Sequence, residues 1–207
     1  AQTFGAVDID VAVGIDLLAA PGHKSSGGPL GTGFLYITES AHDQIIPAVQ
    51  GGTGSQSESL EMPTQMPAKL EAGNLNVPAL AGWLVALGQL KSADLGQRAD
   101  HSKALGKQLH QSLAAIDHLR VYGIASELPI ASIGVEGLAP IDVAAILDAE
   151  YGIETRAGLH CAALIHPFLG SEGEGTLRIS AGQTSTETDI DAIVTALQSI
   201  VDAVHGD

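Results

Sequence analysis

Two apolar runs, at Ile15 to Ala20 and at Gly33 to Thr38, enclose a glycine-rich loop with one lysine in it: the stretch from Ile15 to Ile37 reads IDLLAAPGHKSSGGPLGTGFLYI. Short apolar runs bounded by Gly, Pro and Ser read as buried strands. The chain must therefore pass from strand to strand through a turn that carries Lys24. Helical periodicity follows in later segments, and strands alternating with helices make an α/β chain. Lys and Arg together number nine, against 24 Asp and Glu, so a cation in that turn is a scarce group.

The net charge of -15 opposes a nucleic-acid or anionic-membrane partner, since neither is drawn to a negative field. No apolar run reaches the roughly 18 residues that a membrane span needs, and no signal or transit pattern is visible. With 207 residues, 45% of them hydrophobic, the chain can bury the core of one large domain or of one and a half ordinary ones. The single cysteine, Cys161, excludes an internal disulfide framework and points to a reducing, cytoplasmic setting. The opening AQTFGAVDIDV starts as though entering an element already under way, and the reading predicts a fragment of a longer chain.

Along the chain, VDIDVAVG reads as a short helix before the first strand, and residues 50–73 read as one long ordered loop rich in Gly, Ser, Pro and Thr. Helices are predicted at Val77 to Leu90 and at Ala93 to Leu119, the second with Leu95, Leu105, Leu109, Leu113 and Ile116 in its apolar stripe and leading into another domain. Beyond it the reading gives strands at Val121 to Ala125 and Ala131 to Val135, a helix from Ile141 to Tyr151, and strands at Ile153 to Arg156 and Thr176 to Ser180. A closing helix, Glu187 to Val204, has Thr186 as N-cap and Asp189 in its first turn.

Three stretches carry chemistry. The lysine loop resembles a nucleotide-binding G-x-x-x-x-G-K-[ST] pattern only superficially, because His23 stands where that pattern has its second glycine, the first glycine is missing, and a strand follows instead of a helix. Taken alone, Lys24 could be a solvated turn residue. In TRAGLHCAALIHPFLG, Arg156, His160 and Cys161 lie between a predicted strand and a short helix, and a thiol near a helix start with a cation and an imidazole beside it is of the kind that reacts as thiolate. A buried structural cysteine is the alternative. His160, Cys161 and His166 match no closed zinc pattern, and no metal is expected. In GTLRISAG, Arg178 sits within an apolar strand, where it must meet an anion; its fork suits a carboxylate, and a structural ion pair with an acidic residue is the alternative.

An amine near an apolar wall, a reactive thiol and a carboxylate-shaped guanidinium together suit one chemistry. A neutral lysine forms a Schiff base with an aldehyde cofactor, of which pyridoxal phosphate is the common case, and the substrate is then an amino acid.

At these residues the chain resembles a known family, the class V aminotransferase-like, fold-type I pyridoxal-phosphate enzymes, and within it the cysteine desulfurases of the second group. PGHK at Pro21 to Lys24, GPLGTGFLYI, QGGTGSQSESLEMPTQMPAKLEAGNLN, RAGLHCA at Arg156 to Ala162 and GTLRISAGQTSTETDID carry the likeness, which extends from AQTFG to the last helix. The resemblance implies an α/β fold in which residues 1–92 are the end of the large cofactor-binding domain, while residues 93–207 are a connecting helix and a small C-terminal α+β domain.

The resemblance also implies roles. Lys24 holds pyridoxal 5'-phosphate, with His23, Gln2 and Asn74 as further cofactor-binding residues. Arg178 binds the substrate carboxylate, and Arg156, beside the thiol, is a second substrate-binding residue. Cys161 takes sulfur from L-cysteine as a persulfide, leaving alanine, with His160 next to it in the catalytic set. A homodimeric full-length parent and a sulfur-acceptor protein are implied as partners. Two positions depart from the family pattern, Pro21 where a serine is common and Asn74 where a threonine is; proline offers neither hydroxyl nor N–H. The family's aspartate that pairs with the pyridinium nitrogen would fall just before Ala1. Selenocysteine lyase and other class V enzymes are the alternatives within the family, and a non-catalytic binding or scaffold fragment is the alternative outside it.

Overall fold

The two apolar runs pair with each other. Strand β1 (Leu17–Pro21) lies antiparallel to β2 (Gly33–Ile37) in a two-stranded sheet, with Leu17 opposite Ile37 and Pro21 opposite Gly33. Proline cannot donate to a ladder, and its place at the strand end avoids that conflict. The expectation of two buried strands is corrected: Leu17 and Leu35 are 50% and 51% exposed, because side chains on a ribbon alternate between two faces.

The structure, a computed structural model, describes residues 3–54, 56, 58–126 and 128–206. Two compact units divide the chain, Ala1–Leu95 and Gly96–Asp207.

In the first unit, no helix forms over Val7 to Gly14, where one was expected: Val7 bridges to Phe4, and a turn occupies residues 11–14. The Ala12 N–H donates to Asp10 Oδ1 (2.8 Å), a local side-chain bond that competes with the helical ladder. After β2 comes a 3-10 turn at Glu39–Gln44. From 45 to 76 no helix or strand occurs among the described residues. That run is nevertheless closed on itself, since the Gly73 N–H donates to the Gly52 carbonyl (2.7 Å) and Lys69 Nζ donates to the His42 carbonyl (2.7 Å). Helix α1 (Val77–Ser92) starts where Asn76 Oδ1 accepts from the Ala79 N–H (3.2 Å), a side-chain N-cap.

The second unit is built on a four-stranded antiparallel sheet of order β3-β4-β6-β5, with β3 at Leu119–Tyr122, β4 at Ile130–Val135, β5 at Arg156–Gly158 and β6 at Thr176–Ser180. Helices α2 (Leu95–Leu113), α3 (Pro140–Tyr151) and α5 (Glu187–His205) supply its core, and a single turn, α4 (His166–Leu169), lies between β5 and β6. Leu105, Leu109 and Leu113 repeat every four residues and are buried with Ala131, Ile133 and Val135 of β4, Leu177 and Ile179 of β6, and Ile193 and Leu197 of α5. Each fully buried leucine contributes roughly 1.5–3 kcal/mol through area removed from water.

Several predicted boundaries move. The helix expected to reach Leu119 ends at Leu113, and Leu119 instead opens β3 opposite Val135, so the strand expected at Val121 to Ala125 begins two residues earlier. Leu95, placed in the apolar stripe, is 46% exposed. The strand expected at Ile153 to Arg156 is displaced to Arg156–Gly158, because α3 ends in left-handed Gly152 (φ 64) and the Ile153 N–H turns back to the Leu147 carbonyl (2.9 Å). Strand Thr176–Ser180 has the expected bounds. Thr186 and Asp189 form a full capping box on α5: the Asp189 N–H donates to Thr186 Oγ1 (3.3 Å) and the Thr186 N–H to Asp189 Oδ2 (2.7 Å).

Candidate active site

The lysine loop of the first unit is held from beneath. The Gly22 N–H donates to the Thr32 carbonyl (2.8 Å) and the Gly28 N–H to the Gly22 carbonyl (2.6 Å). Buried Ser26 donates through Oγ to the Gly22 carbonyl (2.9 Å) and accepts from Trp83 Nε1 (3.1 Å). A Cβ at Gly22 would overlap Thr32 Oγ1, and one at Gly28 would overlap the Trp83 ring, so the backbone passes where only glycine fits. Trp83 in turn stacks on Phe34 of β2 at 6.2 Å between ring centroids.

On this rigid base His23 and Lys24 are exposed. The Lys24 amine has no hydrogen-bond or ion-pair partner among the described residues, and its carbonyl accepts from the Gly27 N–H (2.9 Å). An accessible, uncommitted primary amine on a fixed loop fits the aldehyde of pyridoxal phosphate. Asn74 is exposed in the same unit, and its amide is of a kind that can donate. Gln2 lies outside the described residues.

The second unit gathers the other four candidates on one side of its sheet. On β6, Leu177 and Ile179 enter the core, so the alternation of a strand directs Thr176 and Arg178 to the opposite face. The register of β5 sets Arg156 directly opposite Arg178 and Gly158 opposite Thr176. Gly175 makes this close pairing feasible, since it has φ 80 and a Cβ there would overlap the Gly158 carbonyl. Like charges directly opposed across two strands are unfavourable. No acidic side chain bonds to either guanidinium among the described residues, and Arg178 Nε is buried without a partner. The alternative of a structural ion pair for Arg178 is therefore not realised among them.

Cys161 follows β5 and is exposed. Arg156 Nη2 donates toward its sulfur at 3.5 Å, which sets a positive charge where a thiolate or persulfide anion would sit. His160 and Cys161 both take left-handed backbone, with φ of 53 and 60, a conformation that costs about 1–2 kcal/mol per non-glycine residue. The expected imidazole beside the thiol is otherwise employed: His160 Nε2–H donates to the Thr176 carbonyl (2.9 Å) and lies 3.0 Å from Thr176 Oγ1. Its Nδ1 is thus the bare nitrogen, buried with no partner among the described residues. Burial pushes the imidazole below its ordinary pKa; the Thr176 carbonyl opposes this, and the charges of Arg178, Arg156 and His166 reinforce it. The expected helix after the cysteine is a 3-10 turn at Ala163–Ile165 running into α4.

Sequence reasoning considered His166 only as a metal ligand and passed over Ser171, Thr176 and Trp83. His166 is buried, with Nε2–H donating to the Leu159 carbonyl (3.2 Å) and Nδ1 accepting from Ser171 Oγ (2.8 Å). Both ring nitrogens are committed, so neither is open to a metal. One signal was available, a histidine set in the apolar run ALIHPFL.

Comparison with known proteins finds relatives over almost the whole chain. The chain is 34% identical over 206 residues to a probable cysteine desulfurase of Methanothermobacter thermautotrophicus, a match covering 97% of this chain and 51% of that protein. Its fold superposes on the cysteine desulfurase from Thermococcus onnurineus NA1 with a TM-score of 0.87 at 28% identity, over 98% of this chain and 51% of the other. The cysteine desulfurase CsdA from Escherichia coli gives a TM-score of 0.83 at 32% identity, over 98% and 50%. The chain thus spans about half the length of the relatives it matches. Its fold is the mixed α/β fold of the corresponding half of those enzymes. The family pattern described as Aminotransferase class-V matches residues 1–193, and the chain belongs to that family.

Proposed function

We propose that the protein is a pyridoxal-phosphate-dependent cysteine desulfurase whose sulfur-accepting nucleophile is Cys161. The observation that carries this reading is the exposed Cys161 sulfur, 3.5 Å from Arg156 Nη2, on the sheet face where Arg156 opposes Arg178. Two guanidiniums that bond to no acidic side chain among the described residues, together with a thiol, make a site for an amino acid that bears both a carboxylate and a sulfur.

In this reading the first unit is the end of the cofactor-binding domain and the second is the small domain. Lys24 holds the cofactor on its amine, with His23, Gln2 and Asn74 as further contacts. The bound cofactor supplies an electron sink at the substrate α-carbon. Arg178 binds the substrate carboxylate bidentately. Arg156 holds the Cys161 sulfur in place and offsets its negative charge. His160, kept neutral by burial, offers an unprotonated nitrogen one residue before the thiol. Cys161 Sγ forms an S–S bond with the substrate sulfur as the substrate C–S bond breaks. The electron pair of that bond stays on the carbon fragment, which takes up a proton and leaves as alanine. The persulfide remains on Cys161, whose exposure suits transfer to an acceptor protein. The working protein is a homodimer, as the resemblance implies.

The cofactor assignment is tested by incubating the protein with pyridoxal phosphate, fixing the adduct with borohydride and mapping the modified peptide. The label is expected on Lys24 and is lost in Lys24→Ala. Labelling of other lysines at an unchanged level in that variant would contradict the assignment.

A further inference from the structure

We propose that His166, supported by Ser171, is a positioning residue that sets the direction in which Cys161 presents its sulfur, without touching the sulfur itself. The inference rests on the desulfurase reading for its purpose, though the geometry stands apart from it.

The starting observation is a pair of consecutive non-glycine residues, His160 and Cys161, with φ of 53 and 60. Such conformations persist only where surrounding contacts over-determine them. The Cα–Cβ bond of Cys161 is carried by that backbone, so relaxation to ordinary φ would swing the sulfur away from Arg156 Nη2, now 3.5 Å distant.

The contacts that over-determine the turn converge on the Leu159 carbonyl, the group just before the strained pair. It accepts the Ala162 N–H at 2.9 Å, which closes the turn over His160 and Cys161. It also accepts His166 Nε2–H at 3.2 Å, from the first residue of α4. A carbonyl has two lone pairs, and both are used. The Leu159 carbonyl can only accept, so the neutral ring carries its proton on Nε2, and the Ser171 hydroxyl, able to donate or accept, donates Oγ–H to the bare Nδ1 (2.8 Å). A second link, from the Ser171 N–H to the His166 carbonyl (3.0 Å), holds the two residues to one another. Both are almost fully buried, at 3% and 7% exposure.

Farther along the same loop, Arg120 of β3 donates to the Leu169 carbonyl at the end of α4 (2.9 Å). The turn bearing Cys161 is thereby tied to the sheet through α4, and His166 is the link between them. A bulky apolar residue would fill the same space but leave the Leu159 carbonyl with one donor.

Because Cys161 is the only cysteine, a thiol reagent reports on this position alone. The test is the rate of iodoacetamide alkylation of the full chain in wild type, His166→Leu, His166→Gln and, as a control for lost stability, Ile200→Ala in the core on α5. His166→Leu is expected to slow alkylation about tenfold, the scale of losing one buried hydrogen bond, as the sulfur leaves Arg156. His166→Gln keeps a donor and an acceptor and is expected to restore at least half the wild-type rate, while Ile200→Ala leaves the rate unchanged. A His166→Leu rate equal to or above wild type, or an equal slowing in Ile200→Ala, would overturn the proposal. Alkylation requires neither cofactor nor cysteine, so a protein without desulfurase activity would leave this test intact. Conversely, an unmoved rate in His166→Leu would leave the desulfurase reading standing.

Discussion

Arg156 and Arg178 stand directly opposite each other in the antiparallel register of β5 and β6, and neither meets an acidic side chain among the described residues. A protein that folds only for stability does not gain from such a pair, since facing like charges lower stability. A site that binds a carboxylate and steadies an anionic sulfur does.

Function and stability should therefore move in opposite directions at Arg178. Arg178→Met is expected to raise the unfolding free energy by up to ~1 kcal/mol, the scale of a facing like-charge pair, as read by urea denaturation. The same change should raise KM for L-cysteine about ten- to hundredfold, for loss of charged hydrogen bonds worth about 1.5–3 kcal/mol. Arg178→Lys should restore little of that loss, because an ammonium lacks the fork. A variant that loses stability while keeping KM would identify Arg178 as a structural residue.

The lysine loop offers a second measurement. Ser26→Ala leaves Trp83 Nε1 buried without its acceptor and is expected to cost about 1–3 kcal/mol. Trp83 is the only tryptophan, so its fluorescence follows the unfolding of this unit directly. Lys24→Ala, at an exposed side chain without partners among the described residues, should change stability by no more than about 0.5 kcal/mol.

Burial holds the His160 pKa below the ordinary 6.5, so the folded state binds its proton less readily than the unfolded one. The unfolded chain takes up more protons between the folded value and 6.5, and stability rises with pH across that window. His160 thus contributes stability that is fully present above about pH 6.5 and is lost as pH falls toward the folded value. Titrating the unfolding free energy of wild type against His160→Gln should show a shallower pH slope for the variant below the ordinary histidine pKa. Parallel curves would mean that His160 is not perturbed.

Much of this was legible in the sequence where a local pattern fixes the outcome. The apolar spacing of Leu105, Leu109 and Leu113, the β6 segment around Arg178 and the Thr186 to Asp189 capping signal each depend on neighbours in the chain. Elements were misplaced where a side-chain or capping bond overrides the apolar pattern. Asp10 stopped a helix at residues 7–14 through a side-chain bond that competes with helical periodicity, and the Gly152 cap displaced β5 by drawing Ile153 back onto α3. The candidate residues were named from motifs. The pairing of Arg156 with Arg178, the turning of His160 toward Thr176 and the clamp by His166 depend on strand register, which the sequence does not display.

The most direct test of the central claim is the chemical fate of the Cys161 sulfur. The intact protein is supplied with pyridoxal phosphate and L-cysteine, persulfides are trapped by alkylation, and the peptides are read by mass spectrometry while alanine and sulfide are measured. The account predicts an added sulfur atom on Cys161, alanine formed with it, and loss of sulfide release from cysteine in Cys161→Ala while Lys24 still binds the cofactor. Equal turnover of cysteine by wild type and Cys161→Ala would contradict it.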